Sequence, residues 1–303
     1  MRLTPNAGYT LLARSALPPG SLVLSESPLV MLKESDRQNR PETYIVNVIK
    51  TQLDALPKER REGYRSLAKS HKKSGFHELY DVHETNSVKV EIGEEMASAV
   101  FWNLSRINHA CRPNSAYSFH ASPPTIKLHT LRDLEADEEL TISYVPWNAD
   151  FATRQRTLQR DFAFTCTCRL CSSTPDEISD DNERLMTITA LRSSLEEWVK
   201  GFMSSLQATE NVRRMQSLMT QSQVLLGRGI MAGDGALIAM YAGDEEAAKA
   251  WGHLSAKWYT IESGEDSEQA VIARTLAEEP WRSSNWKKGK EEKVGGPLEL
   301  EDW

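Results

Sequence analysis

The rhythm of apolar and polar positions changes several times along the chain. Residues 9–32, YTLLARSALPPGSLVLSESPLVML, alternate short apolar runs around a Pro-Pro-Gly turn, which predicts two or three strands rather than a helix. From 42 to 73 the spacing turns helical through Tyr44, Val48, Leu53, Tyr64 and Leu67, with Pro57 restarting a helix after Leu56. Residues 74–99 predict a short strand at 88–92 and then a helix opening near Gly93. The β pattern returns in AYSFH, TIKLHTL and ELTISYV, three strands joined by turns. A charged helix is expected over 150–162, and STPDEISDDNE at 173–183 reads as a polar linker at a domain boundary. Residues 182–275 are helical in pattern, with Trp198, Met215, Leu218, Leu225, Trp251, Trp258 and Ile261 spaced for packed helix pairs and glycines placed for C-caps. That row of tryptophans reads as core rather than as a ligand box. The final stretch mixes Lys, Glu, Gly and Trp without period and is expected to be an irregular tail.

Composition narrows the class. The chain has 303 residues, enough for a main domain and a smaller second one, and its 40% hydrophobic and 26% charged residues fit a soluble globular protein. No apolar run approaches the length of a membrane span, and the first residues do not read as a secretory signal, so nucleus or cytoplasm is expected, with no membrane partner. The formal charge of −7 and pI near 5.6 argue against direct nucleic-acid binding, which needs a basic face, and favour a basic partner.

The four cysteines carry candidate chemistry. Cys166, Cys168 and Cys171 in FTCTCRLC are too cramped for paired disulfides but suited to wrapping thiolates around one tetrahedral ion. A fourth thiolate can come only from Cys111 in RINHACRPNS, which requires the chain after 165 to fold back on that loop. Such a site would hold one structural Zn2+ per chain, since four thiolates leave no open position. The alternative is four buried thiols without metal. His71, His77 and His83 recur every six residues, a step that does not align on a helix face, and are expected to be solvated or singly hydrogen-bonded.

NHACRPN, followed by ELTISY and then by CTCRLC, resembles the catalytic core of SET-domain lysine methyltransferases, and GYTLLARSALPPGSLVLSESPLV resembles the opening strands of that domain. The resemblance covers residues 3–172 and is nearest to SMYD-like proteins, particularly a fungal group that keeps the SET core and a helical C-terminal region. The MYND zinc finger of that family is expected to be missing, because residues 33–98 contain no cysteine. The resemblance implies an α+β fold: a β-rich SET domain over 1–172 with a helical insert at 33–98 and a zinc-bound post-SET segment at 164–172, a helical domain over 182–280, and the tail at 281–303.

It also implies S-adenosylmethionine as cofactor and methyl transfer to a protein lysine in a basic peptide or protein, histone or not. Asn108 and His109 match the pair that holds the methionine part and the adenine edge, and Asn86 an upstream cofactor asparagine. Gly8 matches the first glycine of a Gly-x-Gly turn, with Tyr9 beside it, and Phe164 the aromatic that stacks on adenine. Tyr144 matches the catalytic tyrosine, whose hydroxyl sits where donor and acceptor meet. Methyl transfer needs alignment more than acid-base power, which suits this division of labour.

Three positions depart from the pattern. Thr10 replaces the second glycine and is expected to weaken cofactor binding, Phe162 replaces a second active-site tyrosine, and Ala110 replaces a serine. The competing readings are a SET scaffold acting on a small molecule, by methylation or other chemistry, and a noncatalytic binding module.

Overall fold

The computed structural model describes residues 2–4, 8–70, 75–301 and 303. The N-terminal half is a set of small sheets. Strands β1 (Arg2–Thr4) and β2 (Gly8–Thr10) pair antiparallel. Strand β3 (Leu22–Glu26) joins a hairpin formed later in the chain, and β4 (Val30–Lys33) leads into the insert.

The insert opens with a helical turn, α1 (Glu34–Arg37), followed by α2 (Glu42–Asp54) and α3 (Lys58–Arg65), with Pro57 at the N-cap of α3. Ile45, Ile49 and Leu53 of α2 and Tyr64 of α3 bury together against Leu32 and Val100. A further helix, α4 (Glu78–Asn86), was not foreseen from the spacing; the His77 ring caps it, accepting from Leu79 N at 3.2 Å. His83 in the same helix is buried and bonded to Ser98 Oγ at 2.8 Å, while His71 lies outside the described residues.

The helix expected after Gly93 is instead a strand. β5 (Val88–Ile92) turns directly into β6 (Glu95–Val100), and β6 is the centre of the sheet β4-β6-β5. Gly93, at φ +63°, takes the first position of the two-residue turn, where a left-handed backbone is required. Val100 then leads to a 3-10 turn at Leu104–Arg106 and the two-residue strand β7 (Asn108–His109).

Strands β8 (Ser115–Ala121) and β9 (Pro124–Thr130) form a hairpin that β3 completes in the order β3-β9-β8. β10 is only Thr141–Ile142, after which α5 (Phe151–Phe162) opens on an Asp150 side-chain cap. Ile126, Leu128, Phe101, Ile107 and Ile142 form the core between these sheets.

The polar stretch at 173–183 is not a linker. Thr174 and Glu177 form a reciprocal capping box, and Pro175 starts α6 (Pro175–Val199), so the acidic residues there are the first turns of a long helix. Helices α7 (Ser205–Gln221), α8 (Arg228–Ala242), α9 (Glu245–Ser263) and α10 (Glu268–Glu278) follow, each packed on its predecessor. Gly243 and Gly264 are the C-caps of α8 and α9. The closest approach is α8 on α9, where a Cβ on Gly235 would stand 2.5 Å from the Trp251 ring. Helix α9 also packs on β8 and β9, so the helical region backs the main sheet. No helix among the described residues is long and apolar enough to cross a membrane.

The tail has no regular element after a 3-10 turn at Pro280–Arg282, yet it is tightly held. Lys287 N and Gly289 N donate to the carbonyls of Met240 and Tyr241 at the end of α8, and Asp244 accepts from Val294 N and Gly295 N. Arg228 lies between the rings of Trp258 and Trp303, at 4.6 and 4.3 Å from their centroids.

Candidate active site

The site begins with two short strands that run parallel. Asn108 and His109 of β7 pair with Thr141 and Ile142 of β10, although the β8-β9 hairpin separates them in sequence. Asn114 holds the two motifs together. Its Oδ1 accepts from Thr141 N at 2.8 Å and its Nδ2 donates to Glu139 O at 2.8 Å, replacing the backbone pairing that a turn would otherwise lose. Ser115 Oγ donates to Thr141 O at 2.8 Å. From the other side, the Glu26 carboxylate accepts from Asn103 N and from Leu104 N at 2.8 Å, fixing the 3-10 turn that delivers Asn108.

A cleft of about 1660 Å³ opens beside these strands, lined by Asn86, Asn108, His109, Glu139, Tyr144 and Phe164 among others. Both amide hydrogens of Asn86 go to protein carbonyls, Ala68 O at 2.8 Å and Val82 O at 2.7 Å, which leaves its oxygen as the group on offer. Asn108 Nδ2 donates to Glu139 Oε1 at 2.7 Å and to Thr10 Oγ1 at 3.3 Å, again leaving the amide oxygen. With the Glu139 carboxylate, these oxygens suit a cationic ligand.

Thr10, read from the sequence as an obstruction, is buried and acts as a hydrogen-bond acceptor for Asn108. Tyr9 does not line the cleft: it is exposed and carries the Arg106 guanidinium 4.9 Å from its ring centre. Gly8 pairs with Thr4 through its backbone.

Tyr144 is held at both ends. Its N–H donates to His109 Nδ1 at 3.0 Å and its hydroxyl donates to Ile107 O. Burial, reinforced by Glu139, pushes the phenol well above its ordinary value, so it stays neutral. Phe162 stands 4.8 Å from the Tyr144 ring and Phe164 6.5 Å, edge to face. Phe162 therefore packs directly on the Tyr144 ring.

The chain after α5 folds back as the cysteine spacing requires. Ala163, in the left-handed region at φ +59°, ends α5 and turns the chain. Gln155, which the sequence did not single out, then pins the returning segment through its amide, accepting from Cys166 N and donating to Cys166 O, both at 2.9 Å. The sulfurs of Cys111, Cys166, Cys168 and Cys171 lie within 4.8 Å of one another, with Cys111 3.5 Å from Cys171 and 4.0 Å from Cys166. A tetrahedral ion with metal–sulfur bonds of about 2.3 Å places its ligands about 3.8 Å apart, so the four donors fit one. Hydrogen bonds from the other three thiols drive Cys168 far down, toward thiolate.

His109 joins the cluster to Tyr144. Burial pushes the imidazole down to about 4, so it is neutral; with Nδ1 accepting from Tyr144 N–H, the ring hydrogen sits on Nε2, 3.3 Å from Cys111 Sγ. Both ring nitrogens are thus occupied within the protein.

The residues missed from the sequence, Glu26, Asn114 and Gln155, all act on backbone groups of distant segments. Asn114 lay within the quoted motif, but nothing local revealed that its partners would be residues 139 and 141.

A family model of the SET domain matches residues 8–145. Among curated proteins, the chain is 23% identical over 283 residues to the histone-lysine N-methyltransferase set5 of Schizosaccharomyces pombe, covering 91% of this chain and 82% of that one. It is 26% identical over 180 residues to the histone-lysine N-methyltransferase SMYD3 of Mus musculus, covering 54% of this chain and 41% of that protein. With the histone-lysine N-methyltransferase SET5 of Meyerozyma guilliermondii it shares 28% identity over 159 residues, 49% of this chain and 31% of the relative. The chain therefore spans less than half the length of the last two.

Proposed function

We propose that the chain is a SET-domain methyltransferase of the SMYD-like kind that moves a methyl group from S-adenosylmethionine to the side-chain amine of a lysine in a basic protein. The observation that carries this reading is Tyr144, a neutral phenol in the cleft wall whose hydrogen is given to Ile107 O, so that its oxygen lone pairs remain available beside Asn108. When bound, the cofactor supplies a methyl group activated on a sulfonium. The amide oxygens of Asn86 and Asn108 hold its cationic methionine end, Phe164 covers the adenine, and His109 acts by fixing Tyr144 rather than through a free ring edge. Lysine has a reference value near 10.4, and the apolar walls at Tyr144 and Phe162 favour its neutral, nucleophilic form.

The cysteine cluster is a structural zinc site. Its four thiolates leave no open position, and its task is to hold the segment carrying Phe164 against His109, whose rings are 6.3 Å apart. A basic substrate suits a chain of net charge −7, and substrates of that kind are found in the nucleus or cytoplasm.

The test is label transfer. Purified protein, incubated with methyl-labelled S-adenosylmethionine and a panel of histones, basic peptides and small amines, should label lysine side chains, located by mass spectrometry. Label confined to small amines, or no label on any member, would overturn the assignment.

A further inference from the structure

Arg154 on α5 is 1% exposed, and its NH1 donates to Ala149 O at 2.7 Å; Nε and NH2 have no partner among the described residues. A buried guanidinium with two idle donors calls for an explanation, because an uncompensated charge in the interior is strongly unfavourable. Its nearest carboxylate, Asp181 on α6, is 3.9 Å away and already serves Arg112 at 2.7 Å. Arg112 follows Cys111 directly, and donates to Cys111 O at 3.1 Å and to Ser222 O at 2.6 Å. Two guanidiniums thus share one carboxylate, leaving one positive charge in the interior.

The cysteine cluster packs on the same helix as Arg154. Leu158, one turn on from Arg154 along the same face of α5, packs with Cys111 and Cys166. Gln155, the next residue, clamps Cys166. Four thiolates around a divalent ion form a dianion, itself expensive to bury without a counter-charge. From this placement we infer that Arg154, with Arg112, is the counter-charge of the metal–thiolate cluster, and that Asp181 lets the helical region position both arginines against it. The inference rests on the zinc site proposed above. Arg154 and Asp181 are positioning residues that touch neither cofactor nor substrate.

The experiment follows metal release from the full-length protein to a chromogenic chelator, with thermal unfolding of each variant followed in parallel. Arg154→Met should release metal about 10–100-fold more readily than the native protein, the range found when partners of metal ligands are removed. Arg154→Lys, which keeps the charge, should stay near native. A merely structural arginine predicts the opposite: Arg154→Met shifts at most the unfolding temperature, through the lost contacts with Asp181 and Ala149 O, and leaves metal release at the native rate. Should Arg154→Met fail to fold, Arg154→Gln, which can keep the bond to Ala149 O, takes its place against Arg154→Lys. Native-like retention in the uncharged variant overturns the inference, as does equal loss in Arg154→Lys. A native protein that binds no metal at all overturns the zinc site as well, so the two failures are told apart.

Discussion

Asn108 and Tyr144 line the same cleft but are constrained differently, and their variants should fail differently. Removing the Tyr144 hydroxyl in Tyr144→Phe leaves the aromatic packing against Phe162 and His109 intact. S-adenosylhomocysteine should bind nearly as before, while methyl transfer falls by about two orders of magnitude, the scale of one lost transition-state contact. Asn108→Ala removes a cleft-facing oxygen and leaves Glu139 without its donor, so calorimetry should show loss of cofactor binding itself. A tyrosine variant that binds and turns over at the native rate would mean the reacting atoms meet elsewhere. Thr10 sharpens the same argument. Thr10→Val keeps the shape and deletes the acceptor for Asn108 Nδ2, so cofactor affinity should drop about 3–10-fold, the worth of one neutral hydrogen bond. Unchanged affinity would return Thr10 to the role of a filler.

At the scale of elements, the buried His83 binds α4 to β6 and makes the insert sensitive to acid. Burial, aided by Arg37, lowers this imidazole to about 3 from the usual 6.5, so the unfolded chain takes up a proton there that the folded chain refuses. Stability from this group is therefore complete above pH 6.5 and is lost as pH falls toward 3, amounting to about 2 kcal/mol by pH 5. Urea unfolding at pH 7.5 and 5.0 should show that loss in the native protein and a smaller one in His83→Asn; equal losses would place the acid sensitivity elsewhere. The strand pairing of His83's partner also shows what was legible in the chain. The β8-β9 hairpin, the insert helices around Pro57 and the charged helix α5 announced themselves by period. β6 did not: it is a central strand with Ala97, Ser98, Ala99 and Val100 all buried, so no alternation survives, and its Glu, Met and Ala are helix formers overruled by neighbours on both sides. The acidic run at 173–183 concealed a helix start for a related reason, since a first turn rich in Asp and Glu has the composition of a linker. In the site, the residue types that could hold ligands were visible in the motifs, whereas Glu26 was not, because it holds backbone 77 residues away, and Gln155 was not, because its bond to Cys166 exists only once the chain doubles back after α5.

For the whole molecule, the tail and the helical region behave as one body with the core. Trp303 is nearly buried, its ring against Arg228 and Trp258 and its indole N–H donated to Thr220 Oγ1. Trp303→Ala should therefore cost about 3 kcal/mol in urea unfolding, as for a large core aromatic, where an appended coil would show no change. The cleft itself is built from pieces that leave the ribosome at different times. Cys111 precedes Cys166 by 55 positions, and synthesis at about 5–20 residues per second separates them by on the order of 3–10 seconds. Thr141 and Ile142, the partners of Asn108 and His109, are made within that same interval, so Cys111 waits in a loop whose neighbours on both counts are still to come. Until the last three thiols arrive, the nascent chain carries Cys111 as a solitary thiol, and the order of translation makes the cysteine cluster, with the segment of Phe164 that it packs against, the last of these pieces to be completed.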